Sequence, residues 1–104
     1  MENSSALRFP EMRDAVLSAE DIAALRNDLR AHAVVTSVME KGAAQLRANS
    51  SQPAHDLEPS IERLLTGEVR AIQVRYAFDG HDWTDTLMRL SEGFRLVRCR
   101  HDAG

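Results

Sequence analysis

Residues 69–101, VRAIQVRYAFDGHDWTDTLMRLSEGFRLVRCRH, alternate apolar and polar side chains in three runs that are separated by two turn signals. The first signal is Asp79-Gly80, a dipeptide typical of the two-residue turn in a β-hairpin. The second is Ser91-Glu92-Gly93, which suits a three-residue turn that ends in a glycine bulge. The stretch therefore predicts a three-stranded antiparallel β-meander.

The two turns also predict which residues face each other across the strands. The Asp-Gly turn pairs Tyr76 with Trp83, Val74 with Asp85 and Ile72 with Leu87. The three-residue turn pairs Leu90 with Phe94, Met88 with Leu96 and Leu87 with Val97. A two-residue second turn would set Leu90 against Arg95, which is a less favourable cross-strand pair.

This register gives the sheet two partly apolar faces. One face, expected to support the helices, carries Ile72, Val74, Tyr76, Phe78, Trp83, Leu87, Val97 and Cys99. The other has a basic end with Arg75, Arg98 and Arg100, and an apolar end formed by Met88, Leu90, Phe94 and Leu96. Two explanations remain open for the apolar end. Either a helix of the same chain covers it, or it is an interface with a partner.

The chain before the meander predicts helices. We expect a flexible tail over residues 1–8, a helical region over 10–48, a linker over 49–58 and a short helix over 59–66 that stops at Gly67. Together with the meander, these elements predict an α+β fold in which N-terminal helices pack on a C-terminal three-stranded antiparallel β-meander.

The helical region has a clear start and an ambiguous middle. Ser18 is a candidate N-cap, because Asp21 lies three residues on, and apolar residues then recur every three or four positions. Residues 33–39 are rich in β-branched side chains and apolar on more than one side. Three structures remain open for them: a continuous buried helix, which the spacing favours, a break near Ala33, or an edge strand.

Length and composition indicate a single globular domain. The chain has 104 residues, of which 43% are hydrophobic and 28% charged, and its net charge is −3. The lone cysteine, Cys99, excludes an intramolecular disulfide and is typical of a reducing compartment. The N-terminus shows no signal-peptide pattern, and no apolar run approaches the ~20 residues of a membrane span, so we expect a cytoplasmic protein.

Asp85 is the strongest candidate for chemistry, because the register places a carboxylate on the face that supports the helices. With Tyr76, Trp83 and Cys99 it would line a pocket between helix and sheet for a small ligand or a metal ion. The favoured alternative is a structural role at the sheet rim, with Arg100, Tyr76 or the hydroxyls of Thr84 and Thr86 as donors.

Cys99 and His101 point the same way on one strand, near His81 and either Asp82 or Asp85 of the neighbouring strand. This spacing matches no established metal motif, so its support for a metal site is weak. Cys99 with a histidine could also be a nucleophile and its base, but a small half-buried thiol explains the residue better. We therefore expect no metal site, no cofactor and no catalysis.

Arg75, Arg98 and Arg100 could together contact phosphates on the second sheet face. Six arginines and six acidic residues lie within residues 68–102, and this balance argues against a nucleic-acid platform. The sequence instead predicts a non-catalytic protein that acts through protein association, as a homodimer or as an accessory or regulatory subunit. The interface would be formed by Met88, Leu90, Phe94 and Leu96.

Overall fold

A computed structural model describes residues 14–41 and 56–101, in which two α-helices pack on a five-stranded antiparallel β-sheet. The elements are β1 Asp14–Leu17, α1 Ala19–His32, β2 Val34–Lys41, α2 Leu57–Thr66, β3 Ala71–Phe78, β4 His81–Arg89 and β5 Phe94–His101. The strand order is β1-β5-β4-β3-β2, so β1 and β2 form the two edges of the sheet.

The predicted fold class is wrong in the number of strands and in the placement of the helices. The sheet has five strands because β1 and β2 flank the meander, and α2 lies between β2 and β3 instead of in an N-terminal helical block. Both additional strands fall within the region predicted to be helical, residues 10–48. The predicted tail over residues 1–8 and most of the predicted linker over 49–58 lie outside the described residues.

β2 replaces the second half of the predicted helix. α1 ends at His32, and Ala33 adopts an extended conformation with φ −122° and ψ 162°. Residues 34–38 include four β-branched side chains, which lose rotamer freedom in a helix and pack well in a sheet. In the strand, Val38 is fully buried and Met39 is exposed, which is the alternation of a strand with one covered face.

The start of α1 is formed by the predicted capping box. Ser18 Oγ accepts a hydrogen bond from the Asp21 amide at 3.0 Å, and the Ser18 amide donates to the Asp21 carboxylate at 2.9 Å. Ile22, Leu25 and Leu29 follow on one side of the helix and are buried against the sheet.

Polar contacts fix α2 in its middle and at its C-terminal end. Glu40 on β2 accepts hydrogen bonds from Ser60 Oγ at 2.6 Å and from Arg63 Nε at 2.8 Å. This pairing raises the pKa of the Arg63 guanidinium above its ordinary value, because the carboxylate favours the charged form. At the C-terminal end of α2, Arg89 Nη1 donates to two carbonyls of the last helical turn, both at 3.1 Å, before Gly67 ends the helix in a left-handed conformation.

The register of the first hairpin is as predicted, and that of the second hairpin is wrong by one residue. β3 and β4 pair Tyr76 with Trp83, Val74 with Asp85 and Ile72 with Leu87. β4 and β5 instead pair Arg89 with Phe94, Leu87 with Leu96 and Thr86 with Val97. The connecting loop has four residues, 90–93, and the Leu90 amide donates to the Gly93 carbonyl at 2.9 Å.

A shift of one residue moves every side chain of a strand to the opposite face. Phe94, Leu96 and Arg98 therefore point toward the helices, and Val97 and Cys99 point away from them. We call the covered side the helix face; its central members are Ile72, Val74, Tyr76, Trp83, Asp85, Leu87, Phe94, Leu96 and Arg98. We call the other side of the sheet, which neither described helix covers, the open face. Neither described helix is long and apolar enough to cross a membrane.

Candidate functional site

The centre of the helix face contains a buried ion pair. Arg98 Nε donates to Asp85 Oδ1 at 2.7 Å, and Arg98 Nη2 donates to Asp85 Oδ2 at 2.6 Å. The Arg98 and Asp85 side chains are 1% and 0% exposed. The two residues lie directly opposite each other on β5 and β4, so the planar guanidinium meets the carboxylate through two parallel hydrogen bonds.

Tyr76 on β3 completes this buried cluster. Its hydroxyl donates to Asp85 Oδ1 at 2.9 Å, and the Arg98 guanidinium carbon lies 5.9 Å from the centre of its ring. The pKa of the Tyr76 phenol is raised well above its ordinary value, mainly by burial and secondly by the negative charge of Asp85. Both oxygens of Asp85 are bonded, and its side chain is closed to solvent. The cluster is thus a satisfied structural network.

The four residues of the predicted pocket do not line a common cavity. Tyr76, Trp83 and Asp85 share the helix face, but Cys99 lies on the open face and is exposed. Trp83 is 6% exposed, and its indole Nε1 donates to the Phe78 carbonyl at 3.0 Å. The one-residue change of register separates Cys99 from the other three.

The three candidate anion-binding arginines also separate. Arg75 is exposed on the open face, Arg98 is buried in its ion pair, and the Arg100 guanidinium stacks 5.9 Å from the ring centre of Trp83. They do not form a shared basic surface.

The histidines at this end of the sheet have other contacts. His81 packs edge-on against Trp83 with ring centres 6.4 Å apart, and His101 Nε2 lies 2.6 Å from Thr84 Oγ1. Within residues 14–41 and 56–101, no group of three or more His, Cys, Asp or Glu side chains is arranged to hold a metal ion.

The predicted interface set is divided between the two faces. Phe94 and Leu96 are 6% and 1% exposed in the core, whereas Met88 lies half-buried on the open face. Leu90 lies in the loop and is 40% exposed. These four side chains therefore do not form one surface.

The open face has an uncharged centre. Cross-strand neighbours run from β2 to β5 through Met39, Gln73, Thr86 and Val97, and Ala71 faces Met88 in the next row. Met39 is 47% exposed and the other members are half-buried. Gln73 Nε2 donates a hydrogen bond to Thr86 Oγ1 at 3.4 Å, so these two polar side chains are hydrogen-bonded to each other. We call this set the open-face centre: Met39, Ala71, Gln73, Thr86, Met88 and Val97.

Charges of both signs surround the open-face centre. Arg95 Nε and Nη2 donate to the two oxygens of Asp14 at 3.1 and 2.8 Å. These hydrogen bonds hold the pKa of the Asp14 carboxyl below its ordinary value. Lys41, Arg75 and Asp82 occupy other positions around the centre. An uncharged centre inside a charged rim is the usual anatomy of a protein interface.

Sequence reasoning missed this surface, and one signal could have revealed it. Pairing Arg98 with Asp85 across the second hairpin would have identified the observed register, because an unpaired buried carboxylate is costly. The same register places Val97 on the open face.

No protein-family model matches the chain, and neither a curated protein nor a solved structure matches it.

Proposed function

We propose that this is a non-catalytic protein that acts by association, and that its open face packs against the open face of a second copy. The observation that carries the proposal is the uncharged open-face centre, on the side of the sheet opposite the two helices. Apolar and neutral side chains gathered on one sheet face are stabilised when a second layer removes them from water.

The area of this face is sufficient for a weak dimer. β2, β3, β4 and β5 each have eight or nine residues, and β1 adds four more. With strands ~4.8 Å apart and a rise of ~3.3 Å per residue, the face covers about 600 Å². Two copies would then bury about 1,200 Å², the lower end of the range for specific complexes, so we expect weak association.

The mixed charge of the rim favours a protein partner over nucleic acid. Arg95 and Asp14 neutralise each other, and Arg75 and Lys41 share the rim with Asp82. A polyanion would meet carboxylates on this surface, and the whole chain carries a net charge of −3. Two copies related by a two-fold axis can instead place opposite charges of the rim near each other.

A role without catalysis is supported by the state of the potentially reactive groups. Asp85 and Tyr76 are buried and bonded to each other. The proposal places the protein in the cytoplasm, where the Cys99 thiol would stay reduced. Association of this kind suits an accessory or regulatory subunit.

Sedimentation velocity from 2 to 200 µM tests the proposal. The parent should move from the 11.6 kDa monomer toward twice that mass as its concentration rises. Val97→Lys and Gln73→Lys, on two different strands of the open-face centre, should remain monomeric because each would bury a charge against the partner. Ala24→Lys, at an exposed position of α1, is the matched control and should dimerise like the parent.

Circular dichroism must show that all three variants keep the parent fold. A parent that stays monomeric at 200 µM would contradict the proposal. So would folded Val97→Lys and Gln73→Lys variants that dimerise as well as the control.

A further inference from the structure

A groove of about 600 Å³ opens between the two helices and the edge of the sheet. It is lined by the end of α1, the start of β2 and the start of α2: Leu29, Arg30, Ala33, Val35, Asp56, Leu57, Glu58 and Pro59. Leu29 and Leu57 are buried, and Ala33 and Val35 are half-buried. The groove thus has an apolar floor that solvent can reach.

The groove adjoins the free edge of β2. β2 is the last strand of the sheet and pairs with β3 alone among the described residues. Its sequence, VVTSVMEK, has high strand propensity and no proline. An edge of this kind presents a row of backbone donors and acceptors to a further strand.

The rim of the groove is acidic. The Arg30 guanidinium and the Glu58 carboxylate are 2.7 Å apart, so these two charges largely offset each other. Asp56 stands at the N-cap of α2, is exposed, and makes no side-chain capping hydrogen bond. Its carboxylate leaves the rim with negative charge.

We propose that this site binds an extended peptide segment of another protein, which adds a strand to β2 and carries a bulky aliphatic residue with a nearby Lys or Arg. The backbone of the segment would pair with the β2 edge, and its side chains would point alternately toward and away from the helix face. The aliphatic side chain enters the groove over Ala33 and Val35, and the basic side chain lies beside Asp56. This surface is separate from the open face.

A β-bulge sets the expected strength of this binding. The register shifts between Val35 and Ser37, where Thr36 is the extra residue and its Oγ1 donates to the Arg75 carbonyl at 3.2 Å. Bulges disrupt pairing locally and increase strand twist. The added strand should therefore be short and its affinity modest.

The test selects peptides from a random decapeptide library displayed on phage, with the full chain as bait and Ala33→Phe as a parallel bait. Ala33→Phe fills the groove, and Ala24→Phe on the exposed side of α1 is its matched control. Peptides enriched on the parent should combine an aliphatic residue with Lys or Arg. Their synthetic forms should shift the amide NMR signals of residues 33–37 and 56–58.

Ala33→Phe should weaken the binding of an enriched peptide by about tenfold or more, and Ala24→Phe should leave it unchanged. Asp56→Lys, at an exposed position, should remove the preference for a basic residue and carries the test if Ala33→Phe fails to fold. Val97→Lys should bind the peptide as the parent does, which separates this proposal from dimerisation through the open face.

Three outcomes would overturn the proposal. The first is a library that yields no peptide binding more tightly than 1 mM, and the second is a set of amide shifts that map to the open face. The third is protein self-association that perturbs residues 33–37 without peptide and is lost in Ala33→Phe, because the occupant would then be a second copy.

Discussion

Replacing the two charges of the buried ion pair, singly and together, should produce strongly non-additive losses of stability. Asp85 and Arg98 are joined by two hydrogen bonds of 2.6 and 2.7 Å, and both side chains are almost fully buried. The informative variants are Asp85→Leu, Arg98→Met and the double variant, because each new side chain is apolar and fits a sheet.

The expected loss in the free energy of unfolding depends on whether a variant leaves an unpaired charge buried in the core. Each single variant leaves one buried ion without its partner, which costs about 3–5 kcal/mol of the free energy of unfolding. The free energy of unfolding of a domain of 104 residues is about 5–15 kcal/mol, so each single variant should lose a large part of its stability. The double variant leaves no buried ion, and replacement of such a pair by apolar side chains is neutral or stabilising.

The double variant also removes the acceptor of the Tyr76 hydroxyl on Asp85. An unsatisfied buried hydroxyl costs about 1–3 kcal/mol, so we expect the double variant to lie about 2 kcal/mol below the parent. The single losses sum to about 8 kcal/mol, which gives a coupling energy of about 6 kcal/mol. Adding Tyr76→Phe should restore most of the remaining loss.

Urea unfolding provides the measurement, with the fluorescence of the sole tryptophan, buried Trp83, as one probe and circular dichroism as the other. Single variants within about 1 kcal/mol of the parent would refute the reasoning, because the pair would then not be desolvated. Single losses that simply add in the double variant would refute it as well.

Three further predictions concern single groups. NMR titration of the Asp14 carboxyl should give a lower midpoint in the parent than in Arg95→Gln, because the hydrogen bonds from Arg95 lower the pKa of this carboxyl. The lowered pKa stabilises the folded state at pH values above the ordinary pKa of the carboxyl, and this contribution is lost as the pH falls. Equal midpoints in the two proteins would contradict the ion pair. Tyr76, the sole tyrosine, should show no phenolate absorbance at 295 nm in the folded protein when the pH passes the ordinary pKa of a phenol. Because the pKa of Tyr76 is raised in the folded state, the fold should become less stable as the pH rises further. Phenolate absorbance that appears at the ordinary pKa would show an accessible hydroxyl and contradict its burial. Gly93→Ala should lower the midpoint of thermal unfolding more than Gly80→Ala. Both glycines have positive φ, but a Cβ added at Gly93 would lie 2.9 Å from the Leu17 carbonyl oxygen, whereas a Cβ at Gly80 would meet no atom within 4 Å. Equal decreases in the midpoint would contradict this packing.

The first hairpin could be predicted from sequence because one local signal determines it. Asp79-Gly80 adopts positive φ at both residues, as a two-residue hairpin turn requires, and its register brings Ile72 and Val74 into the core. The capping box at Ser18 is local in the same sense.

The errors arose where local patterns fit two structures. Residues 34–41 keep apolar residues at helical spacing, yet β-branched side chains and pairing with β3 favour a strand. In the second hairpin, three-residue and four-residue loops both end at Gly93, and the choice depends on a long-range contact between Asp85 and Arg98. That choice moved Phe94 into the core and exposed the open-face centre, so the candidate site could not be located from local signals.

The most direct test of association through the open face is the rate at which iodoacetamide alkylates Cys99 as the protein concentration rises. Cys99 is the only cysteine of the chain, and it is exposed on the open face opposite Thr84. The account predicts that the rate constant falls as the parent dimerises from 2 to 200 µM and stays constant for Val97→Lys. A rate constant that is independent of concentration in the parent would contradict the account, since the open face would then remain uncovered.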